Sequence, residues 1–147
     1  MTNADFTTTF MVDQSPEEVF AAINNPRAWW TGEFEGSADK PGSEFTYEYR
    51  PHHYSKQKVT EFIRGKKVVW LVSESQLNFL KDKREWDGTK IIFDIAKKDG
   101  KTEVHFTHVG LKPEIECYGA CSNAWASLVG KSLRSLIATG VAEKTTF

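Results

Sequence analysis

No stretch of this 147-residue chain is apolar over the roughly 20 residues that a membrane-crossing helix needs. The N-terminus also lacks a basic start followed by an apolar run, because Phe10 and Met11 belong to a short alternating pattern. Both absences predict a cytoplasmic protein with no membrane span. Charge of one sign is scarce too: 19 lysines and arginines oppose 20 aspartates and glutamates. That balance provides no field to recruit nucleic acid or an anionic lipid surface, so no nucleic-acid partner is expected. Cysteine is limited to Cys117 and Cys121. On a helix they lie one turn apart, where geometry and a reducing compartment both disfavour a bridge, and two free, buried thiols are expected. A glycine-rich phosphate loop, a nucleophile elbow and a metalloprotease helix are all missing. With no repeat, linker or low-complexity tract, residues 1–147 read as a single domain.

What the chain does have is a long amphipathic segment from Pro113 to Gly140. Cys117, Cys121, Ala124, Trp125, Leu128, Val129, Leu133, Leu136 and Ile137 recur in steps of three and four, which stacks them on one helical face. Pro113 suits a first turn and Gly140 the position just past a C-terminus. A helix of about 25 residues is on the order of 38 Å long, enough to cross the whole molecule. Gly119 and Gly130 within it imply either a bend or the close approach of another backbone.

The rest of the chain is mostly strand. Asp5 to Val12 alternates, with Phe6, Thr8, Phe10 and Val12 on one face. Ser15-Pro16-Glu17-Glu18 then provides a capping serine, a proline at the first helical position and a glutamate three residues after the cap. The helix it starts turns Val19, Phe20 and Ile23 inward and stops by Asn25, before Pro26. Pro26 to Trp30 adds one short turn, and its Trp29-Trp30 pair covers a core or a cavity mouth. From Phe34 to Leu111 the period is two. Glu44 to Arg50 turns Phe45, Tyr47 and Tyr49 inward, and strands Lys56–Ile63 and Lys67–Ser75 flank an Arg64-Gly65 turn. Val68 to Val72 is apolar on both faces, which leaves its inward side undecided. Asn78 to Gly88 reads as a charged loop. Lys90–Lys97 and Lys101–Val109 form a hairpin about Asp99-Gly100, with Ile91, Phe93 and Ile95 on one face of the first and Val104, Phe106 and His108 on one face of the second. The order predicts an α+β fold in which a curved antiparallel sheet of six to seven strands grips the long helix, with two short helices after the first strand.

Candidate chemistry is sparse. His52 and His53 read as a loop pair without a ligand, and His105 and His108 face opposite sides of a strand, which argues against a shared metal. His108 faces inward, either bonded within the core or meeting a ligand. Cys117 and Cys121 with His108 could be sketched as a nucleophile or a zinc site, but three candidates fall short of a closed zinc shell and cysteine packs as a small apolar group. Glu114 and Glu116 complement the helix dipole; Glu74, Glu85 and Asp94 are scattered. No catalytic residue, metal or cofactor is assigned. The aromatic residues are the remaining signal. Tyr47, Tyr49, Trp70, Phe93, Tyr118 and Trp125 face the space between sheet and helix, where hydroxyls and the His108 imidazole could orient a guest. Trp29 and Trp30 close one end, and Phe45, Phe106 and Cys121 complete the expected ligand-binding set.

The Pro26-Arg27-Ala28-Trp29-Trp30 corner, Glu85-Trp86-Asp87-Gly88-Thr89, Phe106-Thr107-His108-Val109-Gly110-Leu111 and the ending from Trp125 to Gly140 together resemble the START-related SRPBCC superfamily of helix-grip proteins. Within it, the chain looks most like the bacterial proteins similar to the C-terminal domain of the activator of the ninety-kilodalton heat-shock protein ATPase. The resemblance covers nearly the whole chain. It implies an apolar pocket between sheet and helix, but no single activity, because the superfamily includes lipid carriers, hormone binders, polyketide cyclases and chaperone activators. Three functions follow as expectations. The first is binding of a small hydrophobic, aromatic or lipid-like molecule without turnover. The alternatives are a module that acts on a chaperone in a bacterial stress response, and an enzyme of cyclase or hydrolase type using the same cavity. The protein is expected as a monomer or a homodimer.

Overall fold

The computed structural model describes residues 5–49 and 53–143. Its elements run β1 (Phe6–Val12), α1 (Pro16–Ile23), α2 (Pro26–Trp29), β2 (Glu33–Gly36), β3 (Glu44–Tyr49), β4 (His53–Ile63), β5 (Lys67–Leu77), β6 (Lys90–Lys98), β7 (Lys101–Val109), α3 (Tyr118–Ser127) and α4 (Arg134–Thr139), with a π-helical segment (Leu128–Leu133) joining the last two. Among the described residues the strands make one antiparallel sheet of 7, ordered β1-β7-β6-β5-β4-β3-β2. Every neighbouring pair but one is consecutive in the chain. The exception is β1, which pairs with β7 from Phe6 opposite His108 to Val12 opposite Thr102, so α1 and α2 must carry the chain from one edge of the sheet to the other. The β4–β5 register slips between Lys56 and Gln57 and again between Val59 and Glu61, irregularities of the kind that bend a strand and increase its twist.

Alternation decides the faces as expected in β3, β6 and β7, where Phe45, Tyr47, Ile91, Phe93, Ile95, Val104, Phe106 and His108 are buried. In β5 the ambiguity resolves with Val68, Trp70 and Val72 inward, and Val69 is buried as well. The capping box forms: the Glu18 backbone N–H donates to Ser15 Oγ at 3.2 Å, and the Ser15 N–H donates back to Glu18 Oε1 at 3.2 Å. His53 is the first residue of β4 rather than part of a loop, whereas His52 lies outside the described residues.

The terminal helix differs from the expectation at its start. Residues 113–117 form turns, and helical structure begins at Tyr118. The Glu85 carboxylate accounts for this, because it accepts from the backbone N–H of Glu116 at 3.0 Å and of Cys117 at 2.8 Å, capping the helix from another part of the chain. Glu116 in turn reaches outward: its carboxylate accepts from the Lys81 N–H at 3.0 Å, which ties the β5–β6 loop to the helix entry. Cys117 and Cys121 lie with Cα atoms 5.5 Å apart and their sulfur atoms in direct contact. Both side chains are buried, as expected from their place on the apolar face. Gly130 falls in the π-helical segment with open space beside it, so it marks a helical irregularity and not a close approach. Gly140, at φ 83°, closes the helix in the left-handed conformation.

Candidate functional site

Where the helix leaves the sheet, a cavity of about 230 Å³ opens between them. Its walls come from five places. Trp30 enters from the corner after α2, Tyr47 and Tyr49 from β3, and His53 from β4; Phe79 and Trp86 come from the β5–β6 loop, and Ala120, Cys121, Ala124, Trp125 and Leu128 from the helix. Small residues on the helix leave the space open, and large aromatic residues elsewhere flatten it. Phe79, 45% exposed, sits at the rim.

The corner owes its position to two contacts. Ser132 Oγ, buried on the helix, donates to the Trp29 carbonyl at 2.6 Å, and Trp29 Nε1 donates to the Ala22 carbonyl at 3.1 Å. Trp30 then stacks on Tyr47 with ring centroids 4.1 Å apart. Gly32 permits this approach: at φ 151° it adopts a backbone conformation unfavourable to other residues, and a Cβ there would run into the Tyr47 ring. The Tyr47 hydroxyl donates to the Thr31 carbonyl at 2.5 Å, and burial raises its pKa above the ordinary phenol value.

A second set of bonds runs behind the cavity. Trp125 Nε1 donates to His108 Nδ1 at 3.0 Å, which makes that nitrogen an acceptor. The neutral ring therefore carries its proton on Nε2 and donates it to Thr89 Oγ1 at 2.9 Å, and the Thr89 hydroxyl donates to the Trp86 carbonyl at 2.7 Å. Burial, with the His53 ring nearby, pushes the His108 pKa down to about 3. His53 is held neutral by the same cause, burial alone lowering it to about 3. Its Nε2 shares a hydrogen bond of 3.1 Å with Ser55 Oγ, and its ring meets Tyr47 and Trp86 edge-on at 5.0 Å and 4.7 Å.

Of the twelve residues expected from sequence, Trp30, Tyr47, Tyr49, Cys121 and Trp125 line this cavity. Trp29, Trp70, Phe93 and Phe106 are stacked inside the core, His108 lies behind Trp125 and Trp86, and Tyr118 packs at the core's margin. Phe45 lines a different space of about 480 Å³ beside α1 and α2, shared with Phe20, Asn24, Arg27 and Phe34. Of the hydroxyls and the imidazole expected to orient a guest, those of Tyr47 and His108 are engaged by protein groups. Sequence reasoning missed His53, Phe79, Trp86 and Leu128, together with the two alanines. Leu128 had a signal in the helical period; Trp86 and Phe79 were hidden in a charged loop.

Among the described residues, the lining carries no lysine, arginine, aspartate or glutamate. No three histidine, cysteine or carboxylate side chains among them converge as metal ligands. Among the described residues no helix is long and apolar enough to cross a membrane. The arrangement is suited to enclosing a flat apolar body, with the His53 imidazole and the Tyr47 and Tyr49 side chains among the polar groups of its lining.

Comparison with known proteins agrees with the architecture. Of solved structures, the Aha1 dimer from Colwellia psychrerythraea is 25% identical, with 95% of this chain and 98% of that one aligned at a TM-score of 0.74. A protein from Staphylococcus saprophyticus is 15% identical over 94% of each chain at a TM-score of 0.68, and a Bacillus halodurans protein is 18% identical over 85% of this chain and 90% of that one at 0.61. These last two share the fold. No curated protein sequence matches. Residues 13–138 match the sequence profile described as Activator of Hsp90 ATPase homolog 1-like protein, and the chain belongs to that family of helix-grip proteins.

Proposed function

We propose that the protein binds a small hydrophobic or aromatic molecule in the cavity between β3, the β5–β6 loop and the terminal helix. The observation that carries this reading is the lining itself: aromatic rings from three separate elements face small helix residues across an open space. Burying about 300 Å² of apolar guest at about 25 cal/mol per Å² gains on the order of 7.5 kcal/mol, and association costs of about 4 kcal/mol then leave an affinity in the millimolar range from apolar burial alone. Native mass spectrometry of the purified protein looks for a retained guest. Titration with aromatic and aliphatic compounds, followed by tryptophan fluorescence and melting temperature, is then compared with Ala124→Phe, which fills the cavity from the helix side. Binding in the wild type that Ala124→Phe abolishes supports the reading; no response to any compound sinks it.

The family description and the Colwellia protein's name favour a second reading, an interaction with a chaperone. It is separated by measuring chaperone ATPase turnover with and without the protein. Stimulation that Ala124→Phe leaves intact would place that activity on the outer surface, independent of the cavity.

A further inference from the structure

The sheet has two edges, and they are built differently. β2 is guarded: it is 4 residues long, carries exposed Glu33 and Glu35, and has its Phe34 carbonyl held by Arg27 Nη2 at 3.3 Å. Short length, charge and a covering side chain are means by which an edge is kept from pairing with another chain. β1 has none of them. Its 7 residues, FTTTFMV, include no charge, proline or glycine, and its pairing with β7 runs without a register shift. In an antiparallel ladder, alternate residues of an edge strand turn their N–H and C=O groups away from their single neighbour. Among the described residues, nothing bonds to β1 from that open side, because its one further backbone bond, Phe6 N–H to the Leu111 carbonyl at 2.8 Å, goes to the chain just after β7. Thr7 and Thr9 are exposed beside it.

We infer that β1 is an interaction surface for a second copy of this chain, pairing antiparallel with the same strand about a two-fold axis at Thr9. The strand is self-complementary in that register. Phe6 comes opposite Val12, Thr7 opposite Met11 and Thr8 opposite Phe10, so the core-side face of one copy continues into that of the other and half-buried Phe6 and Met11 gain cover. The acids at the strand's two ends, Asp5 and Asp13, meet across the axis, but each has its own lysine, Lys112 at 4.0 Å and Lys101 at 2.8 Å. Guarded β2 prevents further growth, so association closes at two. The contact falls in the class below about 1,200 Å² that forms weak complexes, and the dimer is expected at high concentration. Sedimentation equilibrium from about 5 µM to about 1 mM reads the assembly state. Thr9→Lys and Thr9→Glu each set like charges against each other at an exposed position and should weaken the dimer by about tenfold or more, whereas an equal mixture of the two variants should restore it. A variant that failed to fold could not be rescued by mixing. A wild type that stays monomeric over this range overturns the inference, as does a dimer that Thr9→Lys leaves unchanged or a mixture no tighter than either variant alone. Growth past the dimer overturns the closed two-fold form.

Discussion

The His108 imidazole should make the protein lose stability on mild acidification. Its folded-state pKa is lowered from 6.5 to about 3 by burial, with His53 contributing. Between these values the unfolded chain takes up a proton that the folded protein does not, so stability is fully present above pH 6.5 and is lost as pH falls toward 3. Each unit of separation is about 1.36 kcal/mol, so moving from pH 7 to pH 5 costs about 2 kcal/mol from this residue alone. Protonation would also place a second proton on Nδ1, facing the Trp125 N–H that now donates to it at 3.0 Å. Other groups titrate in the same range, so the informative quantity is a difference. Glutamine at position 108 offers an acceptor and a donor without a titrating group. Urea unfolding of the wild type and His108→Gln at pH 7 and pH 5, followed by tryptophan fluorescence, gives the stability gap at each pH. The gap should move by about 2 kcal/mol in favour of the variant at the lower pH. A gap constant within about 0.5 kcal/mol would refute the assignment of His108 as a buried neutral ring.

Trp125→Ala should cost about 3–5 kcal/mol by opening a cavity against Phe106, Trp86 and Trp30, whereas Trp125→Phe should cost about 1–3 kcal/mol by leaving His108 Nδ1 without its donor; denaturation midpoints distinguish the two. Glu85→Ala removes the carboxylate that caps the helix entry and should cost about 1–2 kcal/mol, with faster hydrogen exchange at Glu116 and Cys117. Gly32→Ala should cost about 1–3 kcal/mol, because its backbone angle and the Tyr47 ring both oppose a Cβ, and a melting temperature unchanged from wild type would argue against the Trp30–Tyr47 stack.

The fold was largely legible because its elements obey short-range rules. The period of two in β3, β6 and β7 and the steps of three and four in the helix depend on neighbours within a turn or a pleat, and Ser15 with Glu18 announces α1 from four residues. The helix start was not legible, because Pro113 is a valid local signal that a distant carboxylate overrides. Glu85 takes the N–H groups of residues 116 and 117, and nothing within the helix's own sequence records that.

The site was less legible for a related reason. An aromatic residue in a charged loop looks solvent-facing when only its neighbours are read, yet the charges around Trp86 are what turn it inward. Ser75 Oγ donates to Asp87 Oδ1 at 2.7 Å, Arg84 Nε donates to Asp87 Oδ2 at 2.7 Å, and Glu85 is spent on the helix. The Gly88 N–H donates to the Val72 carbonyl at 2.8 Å and joins the loop's end to β5, leaving Trp86 between the two histidine rings. Gly110, at φ 103°, leaves room for Thr89 to approach and receive the His108 proton. The charged run is therefore a clamp and not a solvated face, and its geometry exists only once the sheet and helix have met. The loop residues that line the cavity, Phe79 and Trp86, thus lie in the stretch whose composition points most strongly away from a core. The inward tyrosine and histidine that composition favours are consumed in holding that stretch and the tryptophan corner in place.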